Sequence, residues 1–228
     1  MTGTTNARLA GFTYLFYIAV GISSMLVTAG ATAGVGIAAK LASVAGHAPQ
    51  LRIAVLLDLL MTGSALVLGV ALYGITRDED HDLALLAFAC RVCEGLSGAL
   101  GIPATVGLLW LATAGNRPGA PDAATVNALG AFLLMPSAPL GAIFFVAAST
   151  IFCYLLLRGR IVPAALAWLG LFASILLLVA LPLQLAGLLT GIFTSYMVMW
   201  MPMLVFEITI ALWLLIKGAA SPARLQRQ

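Results

Sequence analysis

The sequence predicts an all-α, polytopic integral membrane helical bundle of about six transmembrane spans plus one or two short interfacial helices. Three observations predict it. Of the 228 residues, 62% are hydrophobic and 8% are charged, where a soluble domain carries roughly 25% charged residues. The apolar residues fall in runs of about 20, the length that crosses a hydrocarbon core of roughly 30 Å. The 11 Lys and Arg gather toward the ends of those runs, as topology determinants do. A soluble fold of this size has too much surface to hide so much apolar area. The net charge of +3 and the pI near 9.0 therefore read as membrane orientation, and nucleic acid is excluded as a partner.

Each element follows in chain order, within a single transmembrane domain over 1–228. The first span is about 9–29. Ala29-Gly30-Ala31 loosely resembles a signal-peptidase site, but the run is far longer than the roughly 7–15-residue core of a signal peptide, so we expect a span there. The segment 31–50 is less hydrophobic and carries Lys40 and His47. Val35, Ile37, Ala38, Leu41 and Val44 recur in it at roughly helical spacing, which predicts an interfacial helix at about 33–46. The second span, about 51–75, begins after Pro49 and contains Asp58.

A charged loop, Arg77-Asp78-Glu79-Asp80-His81-Asp82, precedes the third span at about 83–114. That stretch would be about 48 Å long at roughly 1.5 Å per residue, so the helix must tilt, extend beyond the bilayer, or kink at Pro103. Asn116 to Asp122 is a turn-rich loop, and Asp122 is placed to cap the next helix. Pro136 and Pro139 interrupt the following apolar run. This predicts an outer or re-entrant helix at about 123–134 and the fourth span at about 140–157. Arg158-Gly159-Arg160 ends that span. The fifth, about 162–189, contains Pro182, and the sixth, about 196–216, contains Pro202.

Orientation follows from the basic residues. With both termini in the cytoplasm, the inside holds Arg8, Arg77, Arg158, Arg160, Lys217, Arg224 and Arg227, and the outside holds Lys40, Arg52 and Arg117. Seven against three favours both termini inside. Tyr73, Tyr154 and Trp213 then fall at inner ends, and Trp110, Tyr196 and Trp200 at outer ends, as interfacial aromatics should.

Several stretches carry a family resemblance. Arg8-Leu9-Ala10-Gly11 with Tyr14-Leu15 opens the first span. Arg52, Asp58-Leu59-Leu60-Met61 and Leu72-Tyr73 mark the second. Pro163 and Trp168-Leu169-Gly170 follow the basic turn at Arg158 and Arg160. Phe206-Glu207 and Leu212-Trp213-Leu214-Leu215-Ile216-Lys217-Gly218 mark the sixth. In order and spacing they resemble the bacterial membrane family catalogued as domain of unknown function 4386. The Ala-rich stretch 31–46 departs from it, because a more polar, Asp- and Asn-containing segment is expected there. The resemblance implies a multi-pass protein of the bacterial cytoplasmic (inner) membrane and no particular activity.

Four ionisable residues lie inside predicted spans: Asp58, Arg91, Glu94 and Glu207. A charge in hydrocarbon costs at least ~2.5 kcal/mol on insertion scales, so such groups face the bundle interior and pair. Arg91 and Glu94 are three apart on one helix face and can pair with each other. Asp58 and Glu207 then need partners, a proton or water. One reading is a structural network locked by Arg91. The other is a binding or proton-relay site on a transport path. A weak inverted symmetry favours the second. Two sets of three spans would place Glu94 and Glu207 at similar depths in the third helix of each half, with prolines breaking helices in both. No clear sequence repeat accompanies it, and the fifth span has no counterpart of Asp58.

Other motifs read as structural. Cys90 and Cys93 flank Arg91, but a membrane thiol relay needs a second cysteine pair and only Cys153 remains. Gly95-Leu96-Ser97-Gly98 mimics an intramembrane serine-protease motif. The only histidines, His47 and His81, lie in loops, so Ser97 has no base; with Gly95, Gly98 and Gly101 it forms a small-residue packing face. The same lack argues against haem and zinc. The acidic run Asp78–Asp82 suits a helix N-terminus better than a metal.

No cofactor, metal or catalytic residue is expected. A small-solute or proton-coupled transport or binding role around Asp58, Arg91, Glu94 and Glu207 is the leading expectation. An accessory membrane protein with a buried charge network comes second, and a membrane enzyme third. The expected partners are the lipid bilayer and a small-molecule ligand in a central cavity, with a homo-oligomer left open.

Overall fold

A computed structural model describes residues 3–114, 121–135, 140–189 and 199–220. Among the described residues there are nine helices and no strand. They are α1 (Gly3–Ala31), α2 (Ile37–Gly46), α3 (Ala48–Thr76), α4 (His81–Ala99), α5 (Gly101–Ala114), α6 (Ala123–Leu133), α7 (Leu140–Arg158), α8 (Ala164–Leu185) and α9 (Met201–Ile216). Five helices are long and apolar enough to cross a membrane: α1, α3, α4 with α5 taken together over His81–Thr113, α7 and α8. The protein is a multi-pass membrane protein. The sixth predicted span falls in part on α9, an apolar helix whose 16 described residues make about 24 Å at roughly 1.5 Å per residue, shorter than the five above; its predicted start at Tyr196 lies outside the described residues. So do Asn116, Arg117, Pro118, Pro136, Pro139, Arg224 and Arg227, all of which the sequence reading used.

Helix ends are set by local chemistry. The interfacial helix begins at Ile37 rather than near residue 33, because Gly34 and Gly36 adopt positive φ of 133° and 83°, a conformation that ends helices. The long third stretch breaks at Leu100, three residues before Pro103. A proline ring collides with the carbonyl four residues back, here that of Ala99, so the interruption falls upstream of the proline itself. Helix α6 starts at Asp122, whose carboxylate accepts the Thr125 N–H at 2.7 Å, as expected. Asp80 likewise accepts from the Leu83 N–H at 3.1 Å, the helix-start role expected of the acidic loop.

Helix α8 stops short of the predicted residue 189. Gly187, at φ 73°, turns the chain. The Gly187 N–H reaches the Gln184 carbonyl at 3.0 Å and the Leu188 N–H reaches that of Leu183 at 2.9 Å, the paired bonds of a Schellman stop. Helix α7 ends in the same pattern, with Arg160 and not glycine in the left-handed position at φ 49°.

Packing divides the chain into two compact units. The first contains Met1–Tyr17, Gly63–Gly95 and Pro139–Gln228. Within it α7 packs along α8, and α8 along α9. Small residues set these approaches: Ala167, Gly170, Ala173 and Ser174 are buried on α8. A methyl group at Gly11 would meet the backbone of α9 at the Ala211 carbonyl and the Leu215 nitrogen, so α1 crosses α9 backbone to backbone. Close approach through small residues is how membrane helices gain packing energy, since lipid offers no hydrophobic drive. The second unit contains Ile18–Thr62 and Leu96–Ala138. Its core is smaller, built from Ala31, Leu41, Val44, Leu51, Leu108 and Leu111, where α2 meets α5 and α6. Phe12, Leu56, Leu60, Trp168, Phe172 and Val179 are exposed, the surface that lipid covers.

Candidate functional site

The polar centre lies in the first unit and is assembled from α1, α3, α4, α7 and α9. Helix α4 brings Arg91 inward on the same face as Ala84, Ala87 and Glu94, all buried. It can do so because α3 presents Gly69 there: a Cβ at that position would strike the Cβ of Arg91 and the Phe88 ring. The Arg91 side chain is 0% exposed, so bulk water does not solvate the cation and partners inside the protein must. Its Nη1 donates to Glu94 Oε2 at 2.9 Å, the pair that the i, i+3 spacing predicts. Its Nη2 donates to Ser149 Oγ on α7 at 3.3 Å. The Phe145 ring, one turn earlier on α7, lies 4.9 Å from the guanidinium carbon, within range of a cation–π contact. Trp200 stacks on Phe145 at 6.2 Å between centroids.

Both oxygens of Glu94 are engaged. Oε2 takes the Arg91 bond, and Oε1 accepts from the Tyr17 hydroxyl of α1 at 2.8 Å. Glu207 of α9 is 7% exposed and close enough to Arg91 and Glu94 for their charges to act on it. Buried polar atoms in proteins nearly always have a partner. Two here find none among the described residues: Arg91 Nε, a donor, and Glu207 Oε1, an acceptor.

Asp58 belongs to the second unit. It is half-buried, and its Oδ1 accepts from the Ser24 hydroxyl at 2.6 Å. Of the four ionisable residues singled out by sequence, Arg91, Glu94 and Glu207 are gathered in the first unit, and Asp58 has its own partner in the second. Sequence reasoning missed Tyr17, Gly69, Phe145 and Ser149. Only Ser149, a hydroxyl inside an apolar run, carried a sequence signal, and Ser and Thr recur in most of these helices.

The other residues weighed from sequence have the following surroundings. Cys90, Cys93 and Cys153 form no disulfide with one another, and Cys153 packs where a Cβ on Gly170 would reach it. Of the acidic loop, Asp80 also pairs with Arg158 at 3.3 Å. Among the described residues no group of three or more His, Cys, Asp or Glu is arranged to hold a metal ion.

Comparison with known proteins places the chain in a family. The sequence profile of the domain of unknown function 4386 covers residues 9–218, almost the whole chain, and the protein belongs to that family. No curated protein and no solved structure matches it.

Proposed function

We propose that this member of the domain of unknown function 4386 family binds a small polar solute or a proton within the membrane, at Arg91 and Glu207, in a transport or solute-binding role. The observation that carries this reading is the pair of buried atoms without partners, Arg91 Nε and Glu207 Oε1. In an apolar medium an unpaired donor or acceptor costs several kcal/mol. A solute offering one acceptor and one donor relieves both. A proton on Glu207 relieves its charge.

Glu94 is committed twice, to Arg91 and to Tyr17, so Glu207 is the carboxylate free to change state. Asp58, hydrogen-bonded to Ser24, is a separate carboxylate in this reading. The excess of Lys and Arg on one set of loops supports a chain with both termini in the cytoplasm, and the family resemblance supports the bacterial inner membrane.

A second reading, an accessory protein whose charge cluster only locks the helices, is favoured by the complete burial of Arg91 and its three protein contacts. Glu207→Gln separates the two. Thermal unfolding of the purified protein is followed with and without a panel of small polar solutes. The binding reading expects a solute that stabilises the wild type and has no effect on a variant that is otherwise as stable. A solute at 100 times its Kd stabilises by about 2.7 kcal/mol. The locking reading expects no solute effect on the wild type and a marked loss of stability in the variant.

A further inference from the structure

A groove in the second unit, on the face that α3 and α5 share, has a volume of about 330 Å³ and is lined by Arg52, Val55, Val106, Leu109, Trp110 and Thr113. That volume is at the lower end of the range for ligand sites. Its lining is divided by chemistry. Val55, Val106 and Leu109 form an apolar floor, and Val106 is 50% exposed.

Arg52 is exposed and makes no hydrogen bond or ion pair with any described residue. It is the fifth residue of α3, and Trp110 lies in the last turn and a half of α5. These helix ends bound apolar spans long enough to cross a membrane, so cation and indole lie at the level where headgroups meet acyl chains, the place that aromatic and basic side chains prefer. The Thr113 hydroxyl is spent on the Leu109 carbonyl at 2.7 Å, which leaves Arg52 as the groove's strong donor.

We infer that the groove is a binding site for one anionic phospholipid, with the phosphodiester on Arg52, the glycerol region beside Trp110, and the start of an acyl chain over Val55, Val106 and Leu109. The guanidinium presents several N–H donors in a planar fork that matches phosphate oxygens. A zwitterionic lipid brings its own cation to the same place and gains less. The inference is independent of the Arg91–Glu207 reading and stands or falls without it.

The test uses the full-length protein in mixed micelles of phosphatidylglycerol and phosphatidylcholine, with retained lipid counted by native mass spectrometry. The wild type should retain phosphatidylglycerol in preference. Arg52→Gln should lower that preference about fivefold, the factor a single basic residue contributes near an anionic surface. Val106→Trp, which fills the floor and leaves Arg52 intact, should lower it too. Lys40→Gln removes a cation of α2 that does not line the groove and should leave it unchanged. All these positions are half-buried or exposed, and unaltered melting temperatures confirm that the variants fold.

Three results overturn the site. Equal losses from Arg52→Gln and Lys40→Gln would mean diffuse surface charge. No loss from either Arg52→Gln or Val106→Trp would mean that the groove is not used. Displacement of phosphatidylglycerol by inorganic phosphate alone would mean a free-anion site with no lipid specificity.

Discussion

In the first unit small residues set the close approaches, Gly69 against Arg91, Gly170 against Phe206 and Gly11 against the backbone of α9, and the Arg91 side chain is fully enclosed. In the second, Asp58 is half-buried and has one hydroxyl partner, Ser24. Both units draw on the same apolar alphabet, yet they hold ionisable groups in opposite ways. A fully enclosed guanidinium needs several partners at fixed distances, so helices must approach closely enough to bring a carboxylate, a hydroxyl and an aromatic ring together. A carboxylate that keeps some exposure has a cheaper option, since one short hydrogen bond or one proton satisfies it. Substitutions in each unit should therefore fail differently.

The largest effect is expected at the ion pair. Glu94→Gln leaves Arg91 enclosed with no bonded carboxylate, and breaking a buried pair from one side costs roughly 3–5 kcal/mol. Replacing both partners, Arg91→Met with Glu94→Leu, should recover most of that loss, because a buried pair is often no better than a well-packed apolar one. Unfolding in a detergent–denaturant titration checks both. A double variant as unstable as the single one would mean that Ser149 and Tyr17 depend on the charges for their own placement.

Next comes the close helix crossing. Gly11→Ala puts a methyl group against the Ala211 carbonyl and the Leu215 nitrogen. Backbone cannot step aside as a side chain can, so the helices must separate, at about 1–3 kcal/mol for an overpacked site. Gly63→Ala is the control, since open space surrounds a Cβ there; it should be neutral or slightly stabilising, because alanine favours the helix. Equal melting temperatures for the two variants would sink the claim that α1 and α9 meet backbone to backbone.

In the second unit the corresponding deletion should be mild. Ser24→Ala removes the Asp58 partner, and hydrogen bonds between membrane helices average about 0.6 kcal/mol. A loss as large as that of Glu94→Gln would erase the contrast between the units and make Asp58 a second buried charge centre.

The sequence made the class of fold legible because the apolar runs have the bilayer's length and the charges sit at their ends. The Arg91–Glu94 pair was legible because it is local, three residues on one helix. What was hidden is what depends on distant segments meeting. Nothing around Tyr17 announces Glu94, 77 positions away, and nothing around Ser149 announces Arg91, 58 away. Asp58 looked equivalent to Glu207 because depth along a span can be counted from sequence, whereas the packing unit a residue joins cannot. The helix breaks fell between these cases. Pro103 was visible as an interruption, but its effect appears at Leu100, where the ring meets the preceding turn. The stop at Gly187 required a left-handed glycine that no periodicity reveals.

The smallest effect is local and pH-dependent, and it tests whether the second unit's helix ends act independently of the buried centre. Asp122 is fully exposed at the start of α6. The Thr125 backbone N–H that it accepts, followed by the Thr125 hydroxyl, holds its carboxyl below the usual carboxylate range. A carboxyl whose folded value is depressed stabilises the folded form above its unfolded value, near pH 3.9, and that contribution fades as pH falls through the lower, folded value. Amide exchange at Thr125 should therefore quicken under acid, beyond the intrinsic pH trend, in the wild type and not in Asp122→Asn, because asparagine caps without titrating. Thermal unfolding at neutral pH should hardly separate the two proteins. If Asp122→Asn instead lowered the melting temperature as much as Gly11→Ala, the start of α6 would be coupled to global stability, and the second unit would be far less tolerant than its small core implies.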